Sequence, residues 1–249
     1  MLRVPVSSLA SGELLLDPKA SRYVARVHRV GVGQSLLLFD PGAAREAEAT
    51  VLELGPRGVL CRVRDVRAAA RPARAVTLLQ GIGKGDKLDA IVRDATELGA
   101  TRVLAVETAR SVVRLAGPHQ RRDRGKERLA RWRRIAAEAG RQCGRGDAPE
   151  VVGLFSLAEA LATIEDDDAL KLCLWERATD PIGPLLRALG PQTPLVVLIG
   201  PEGGLEEVEV TSAQSRGFVS VSLGPLILRT ETVAAAVLGA SLLLSGDSA

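Results

Sequence analysis

The chain is poor in the side chains that build metal centres and covalent staples. Its 249 residues include three cysteines (Cys61, Cys143, Cys173), widely spaced and without a CxxC pair, and two histidines (His28, His119). An odd, scattered cysteine set argues against a disulfide framework and a cysteine zinc site, and fits a reducing cytoplasm. Two histidines leave almost no material for a histidine metal site or a histidine-based triad. Long apolar runs are scarce as well. The longest near the C-terminus, Val233–Leu244, is interrupted by Gly239 and Ser241 and falls short of the ~20 residues a membrane span needs. No apolar stretch follows a basic start, so no secretory signal is expected. These absences describe a soluble cytoplasmic protein with no metal. The acidic run within Ile164–Asp168 reads as a solvated loop.

What is present is an uneven distribution of charge. Residues 1–150 carry 28 Lys and Arg against 17 Asp and Glu, whereas residues 151–249 carry 5 against 13. A strongly basic half suits a polyanionic partner. Of the 33 basic residues 28 are arginine, and arginine forks grip phosphate and stack on bases, as RNA binding requires. Codon bias in a GC-rich genome accounts equally well for the arginine excess, but not for its confinement to one half.

The first 70 residues read as short strands between turns: Ser35–Phe39, the turn Asp40–Pro41–Gly42, then Glu46–Leu54 and Gly58–Val66 around Gly55–Pro56–Arg57–Gly58. That spacing predicts a small β-barrel. An Ala/Arg-rich stretch around Pro72 serves as linker, giving domains 1–70 and 75–249. From Val76 strands and helices alternate: strand Val76–Leu79, helix Asp86–Leu98 ended by Gly99, strand Arg102–Val106 and the Arg-rich helix Arg121–Arg141. Strand Leu170–Trp175, helix Ile182–Leu189, strand Leu195–Ile199, helix Leu205–Arg216, strand Phe218–Ser222 and helix Glu231–Leu244 follow. This alternation predicts an α/β domain with a largely parallel sheet.

Two segments place glycines between a strand and a helix, where backbone N–H groups face a ligand. Gln80–Gly81–Ile82–Gly83–Lys84–Gly85–Asp86 has neither GxGxxG spacing nor a Walker lysine. It reads as a tight turn with a basic RNA-facing residue, or as a weak nucleotide site with Glu107 as ribose acid. The second feature is a pair of loops, Gly200–Pro201–Glu202–Gly203–Gly204 after one strand and Leu223–Thr232 after the next. Loops at the carboxyl ends of adjacent parallel strands share one crevice. Gly203 and Gly204 are expected to let a flat ligand approach backbone. The apolar second loop suits an adenine ring and a thioether.

Those two loops, with Lys84–Gly85–Asp86–Lys87, Thr96–Ala100, Gln142–Arg145, Arg26–Val30 and Leu38–Asp40, resemble the ribosomal small-subunit RNA (uracil-N3)-methyltransferase family, of the knotted SPOUT class. The resemblance covers nearly the whole chain. It departs at Leu226, where a basic residue is expected, at Arg22–Tyr23, where histidines are common, and at Arg93–Asp94.

The resemblance implies an α/β, trefoil-knotted domain behind an N-terminal barrel of PUA or OB type, and a homodimer. Helix Glu231–Leu244, apolar almost all round, independently asks for burial on every side. It implies S-adenosylmethionine held by Leu174, Ile199 and Gly200–Gly204 (Gly200, Pro201, Glu202, Gly203, Gly204). From the second loop it adds Leu223, Gly224, Ile227, Leu228, Thr230 and Thr232. Ribosomal RNA would be held by Arg22, Arg26, Arg29, Lys84, Lys87, Arg110, Arg141, Gln142 and Arg145. Arg229 is the candidate donor to the developing uracil anion. Glu231 is a candidate base, or a carboxylate at a helix start. Cys143 reads as a packed thiol. An RNA-binding protein without activity, and a knotted ribose 2′-O-methyltransferase, stay open as alternatives.

Overall fold

The computed structural model describes residues 1–111, 119–165 and 167–244. The chain divides into two compact units, Met1–Arg71 with Gly140–Ala148, and Pro72–Ala139 with Pro149–Ala249. The boundaries expected from composition leave 140–148 out of the first unit. Packing includes them: Gly146 N–H donates to Ala70 O at 2.8 Å, and Arg3 donates to Arg145 O at 3.1 Å. A Cβ on Gly146 would stand 2.1 Å from that of Ala69, so only glycine fits there.

The first unit runs β1 (Leu2–Pro5), β2 (Gly12–Leu15), α1 (Pro18–Arg22), a π-helical turn (Tyr23–Val27), β3 (Ser35–Asp40), β4 (Arg45–Gly55), β5 (Gly58–Val63) and β6 (Arg67–Ala68). Its sheet has the order β1-β3-β4-β5-β2, with β6 on β4. The predicted Asp40–Pro41–Gly42 turn forms because the Asp40 carboxylate accepts the N–H groups of Gly42 and Ala43, at 2.9 and 3.1 Å. Val4, Leu36, Leu38, Val51 and Cys61 are fully buried in one apolar cluster. The buried Glu46 carboxylate holds Arg3 and Arg67 at 3.1 and 2.9 Å. β1, β2 and α1 were not expected from the sequence; four-residue strands show too little alternation to read.

The second unit runs β7 (Val76–Gly81), α2 (Lys87–Glu97), β8 (Arg102–Glu107), α3 (His119–Cys143), β9 (Glu150–Ser156), α4 (Leu157–Ala162), β10 (Leu170–Leu174), α5 (Ile182–Ala188), β11 (Leu195–Ile199), α6 (Glu207–Gln214), β12 (Val219–Val221) and α7 (Thr230–Leu244). α3 passes into the first unit at Gly140. The six strands are all parallel, in the order β12-β10-β11-β7-β8-β9. A parallel strand is covered on both faces and reads as an unbroken apolar run; Leu195–Val–Val–Leu–Ile199 is buried at every position.

α2 buries Leu88, Ile91, Val92, Ala95 and Thr96, at helical spacing on one face, and Gly99 at φ 90° ends it. No element is expected over residues 146–163. There Ser156 starts α4 with a capping box, its hydroxyl taking Glu159 N–H while the Glu159 carboxylate takes Ser156 N–H. α7 departs from expectation too. Ala234, Val237, Leu238 and Ser241 are buried, but Thr232, Ala236, Leu243 and Leu244 are exposed, Leu243 by 84%. No described helix is long and apolar enough to cross a membrane. Of the acidic run, Asp166 lies outside the described residues.

Candidate active site

Parallel pairing places Val221, Leu174, Ile199 and Gln80 side by side in one row across β12, β10, β11 and β7. Every loop leaving that row opens on the same edge of the sheet, where open α/β sheets bind ligands. The loops after β10, β11 and β12 enclose a cleft of about 730 Å³, within the 300–1,000 Å³ usual for small-molecule sites. Leu174, Trp175 and Glu176 supply one wall, Ile199 to Gly204 another, and Val221 to Thr230 with Val233 the rest; Lys87 completes it.

The glycines serve different ends. A Cβ on Gly200 would stand 2.9 Å from Gly204 C and 3.1 Å from Leu205 N, so the loop closes on itself only with glycine there. Gly204 adopts φ 74°, and a Cβ would meet the Glu176 carboxylate at 2.9 Å. Gly203 does not open space for a ligand as expected. Its missing Cβ faces Arg110, 3.1 Å from that residue's Cβ. The Gln80–Asp86 segment is no separate nucleotide loop. A Cβ on Gly81 would stand 2.5 Å from Pro201 N, and one on Gly83 would stand 2.5 Å from a Glu202 carboxylate oxygen. The two glycine-rich segments pack on each other.

A buried hydrogen-bond network ties these segments together. Gln80, 0% exposed, donates through Nε2 to Thr230 Oγ1 at 2.9 Å, and to Gly200 O and Gly81 O at 3.3 and 3.2 Å. Thr230 Oγ1 donates onward to Gly200 O at 2.8 Å. At the rim, Glu202 takes Lys87 Nζ at 2.9 Å and the Lys84 N–H at 3.2 Å. Burial alone would raise the Glu202 pKa. The Lys87 ammonium and the backbone N–H donors outweigh it and hold the carboxyl below its ordinary value.

Of the residues assigned to the cofactor, Leu174, Ile199 to Gly204, Leu223, Gly224, Ile227, Leu228 and Thr230 all line the cleft, as does Arg229. Ile227 is 89% exposed at the mouth. Glu231 and Thr232 do not line it. A helix turns about 100° per residue, so Thr230 and Val233 face the cleft while the two positions between them face elsewhere. One Glu231 carboxylate oxygen is buried with no hydrogen-bond partner among the described residues.

Among the RNA candidates, Arg22, Arg26, Arg29, Lys84, Arg110 and Gln142 are exposed. Lys84 and Arg110 also bond the cleft's loops, Arg110 donating to Gly203 O at 2.7 Å, and Lys87 is a cleft residue. Arg141 lies over the Tyr23 ring. Arg145 is a correction: it is 6% exposed and its Nε donates to Asp147 at 3.0 Å, so it is committed to packing and does not reach outward. Cys143 is exposed, not packed, with its Sγ 3.6 Å from Gly140 O. Cys173 lies behind the cleft wall, where burial pushes its thiol up to about 12 and the nearby Glu176 and Glu209 carboxylates add to the rise. It is no nucleophile at neutral pH.

Sequence reasoning missed Trp175 and Glu176. Their position just past the apolar strand β10, at its carboxyl end, is the signal that would have found them. The Trp175 Nε1–H is buried without an acceptor among the described residues.

This geometry defines an α/β protein with a ligand cleft built from the loops after β10, β11 and β12. The RNA methyltransferase domain family matches residues 70–242, and the chain belongs to that family. The ribosomal RNA small subunit methyltransferase E of Mycobacterium tuberculosis is 34% identical over 230 residues, 91% of this chain and 84% of the relative. The enzyme of the same name from Bacillus subtilis is 35% identical over 161 residues, 63% and 61% of the two chains. Among solved structures, the Neisseria gonorrhoeae ribosomal RNA small subunit methyltransferase E bound to S-adenosyl methionine matches with a TM-score of 0.86. It is 29% identical, and the match covers 100% of both chains. A putative methyltransferase from Legionella pneumophila with bound cofactor SAM matches with a TM-score of 0.80, at 28% identity and 95% coverage of both.

Proposed function

We propose that this chain transfers a methyl group from S-adenosylmethionine to N3 of a specific uridine in small-subunit ribosomal RNA. The observation that carries it is the cleft, assembled from the loops after β10, β11 and β12 with Arg229 on its wall. The residues fit the cofactor. Leu174, Ile199, Leu223 and Leu228 offer apolar surface for an adenine and a thioether, and the Gly200–Gly204 backbone offers polar groups. Glu176 offers a carboxylate for ribose hydroxyls or the amino group. When bound, S-adenosylmethionine supplies an electrophilic methyl on a sulfonium.

The chain's own part is positioning and charge. Uracil N3 is protonated at neutral pH, and its ring oxygens gather negative charge as the proton leaves. The Arg229 guanidinium stays protonated and donates to that charge from the cleft wall. Glu231 does not line the cleft, and in this reading the proton leaves to solvent. The exposed arginines of the first unit, Arg22, Arg26 and Arg29, supply phosphate contacts.

The same reading includes a trefoil-knotted path, a closed barrel in the first unit, a homodimer and a cytoplasmic location. The knot is supported by the return of the chain: β12 lies at the sheet edge, whereas α7, which follows it, packs on α2 and β11. The barrel is supported by a single apolar cluster fed by β1, β3, β4 and β5. A second copy covering the exposed Ala236 and Leu243 side of α7 would supply the burial its sequence asks for.

The test is incubation with methyl-labelled S-adenosylmethionine and small-subunit RNA, followed by digestion and mass spectrometry. N3-methyluridine is expected. A 2′-O-methyl nucleoside would give the reaction to ribose, and no label would leave an RNA-binding protein.

A further inference from the structure

Tyr23, His28 and Arg141 form a stacked cluster within the first unit. The Tyr23 and His28 rings meet edge to face, with centroids 4.5 Å apart at 65°. The Arg141 guanidinium lies 4.8 Å from the centre of the Tyr23 ring. The chain has one tyrosine and two histidines in all, so their meeting on one basic turn calls for a reason.

The backbone arranges it. His28 N–H donates to Tyr23 O at 3.0 Å, closing a π-helical turn one residue wider than an α-helical one, and this sets residue 28 above residue 23. Wide turns of this kind occur frequently at functional sites. Tyr23 packs on the unit's apolar core, which fixes its ring. His28 is exposed. Immediately beside it, Arg29 sits at φ 51°, a left-handed conformation unfavourable for a residue with a β-carbon. Arg22, Arg26 and Arg29 are exposed and make no ion pair among the described residues.

We propose that the His28 ring, backed by Tyr23 and Arg141, is a stacking surface for one unpaired nucleobase of the RNA substrate, with Arg26 and Arg29 holding the flanking phosphates. This deepens, and rests on, the reading of the first unit as RNA-binding. Single-stranded RNA is recognised by splaying bases onto aromatic and guanidinium planes, and the stacking tolerates any base. Tyr23 and Arg141 act through His28 as positioning residues.

The test uses the full chain, a single-stranded oligoribonucleotide carrying 2-aminopurine, and a blunt RNA duplex of equal length. Binding is expected to quench 2-aminopurine. His28→Ala should weaken single-strand binding about five- to a hundredfold, abolish the quench, and leave duplex affinity and the salt slope unchanged. His28→Phe should restore both. Arg26→Ala with Arg29→Ala should weaken both RNAs and flatten the salt slope. Unchanged single-strand affinity in His28→Ala, equal loss on both RNAs, or no rescue by His28→Phe overturns the stacking surface. If salt-dependent binding persists in that case, the RNA-binding reading survives it. A parent protein with no salt-dependent RNA affinity overturns both.

Discussion

Thr230 Oγ1 lies 2.9 Å from Gln80 Nε2 and 2.8 Å from Gly200 O, so one hydroxyl joins the end of β7, the loop after β11 and the first turn of α7. None of the three segments is adjacent in sequence to another.

Thr230→Val keeps the volume and removes the hydroxyl. A buried polar partner left unmatched costs about 1–3 kcal/mol, which should appear as a lower melting temperature. S-adenosylmethionine affinity should fall about tenfold, read by calorimetry, because Thr230 also lines the cleft. Thr230→Ser should retain most of both.

Gly81 lines no part of the cleft, yet Gly81→Ala should be the more damaging glycine change. Its Cβ would collide with the backbone of Gly200 and Pro201 at 2.5–2.8 Å, which cannot swing aside. Gly203→Ala meets Arg110 Cβ at 3.1 Å, a contact that a shift of a few tenths of an ångström relieves. Cofactor titrations of the two variants should differ by at least about tenfold, a gap of about 1.4 kcal/mol. Equal affinities would show that the two loops do not share one scaffold.

Arg229→Ala should slow single-turnover methylation by about a hundred- to a thousandfold, the cost of one lost donor at a developing charge, with little change in cofactor affinity. Glu231→Gln should leave that rate within a few-fold. A large loss in Glu231→Gln, recovering as pH rises, would return the carboxylate to the mechanism.

The Glu202 carboxyl has a pKa held below its ordinary value by Lys87 and backbone donors. A carboxyl with a depressed folded-state pKa binds its proton more readily when unfolded, so its stabilisation is present above the unfolded pKa and fades as pH falls through the folded one. Denaturant melts of the parent and Glu202→Gln should therefore differ at neutral pH and converge in acid, once pH falls below the folded-state pKa. A gap that persists in acid would mean that packing, not charge, sets the contribution of Glu202.

The elements that were legible in the sequence are those whose environment is uniform. Leu195–Ile199 is apolar at every position because both sheet faces are covered, and α2 shows its buried face at helical spacing. Local chemistry was legible too, as in the Asp40 turn. What escaped depended on distant partners. Arg145 has the same side chain as the exposed Arg26, and only Asp147 and the fold around it distinguish the two. Gly203 and Gly81 look alike in sequence, but a Cβ on the first would stand 3.1 Å from Arg110 Cβ and one on the second 2.5 Å from Pro201 N. Trp175 and Glu176 are ordinary residues until β10 is placed beside β11.

Because the first unit takes Gly140–Ala148 from the middle of the chain, its assembly is bound to the order of synthesis. As the chain leaves the ribosome, the leading 71 residues emerge without Arg145, Gly146 and Asp147, which complete their packing. By then β7, α2, β8 and all of α3 have been made. The amino-terminal unit lacks those partners until then, whereas leading domains usually fold first, and a fragment ending at the apparent linker would lack residues 140–148 of this unit.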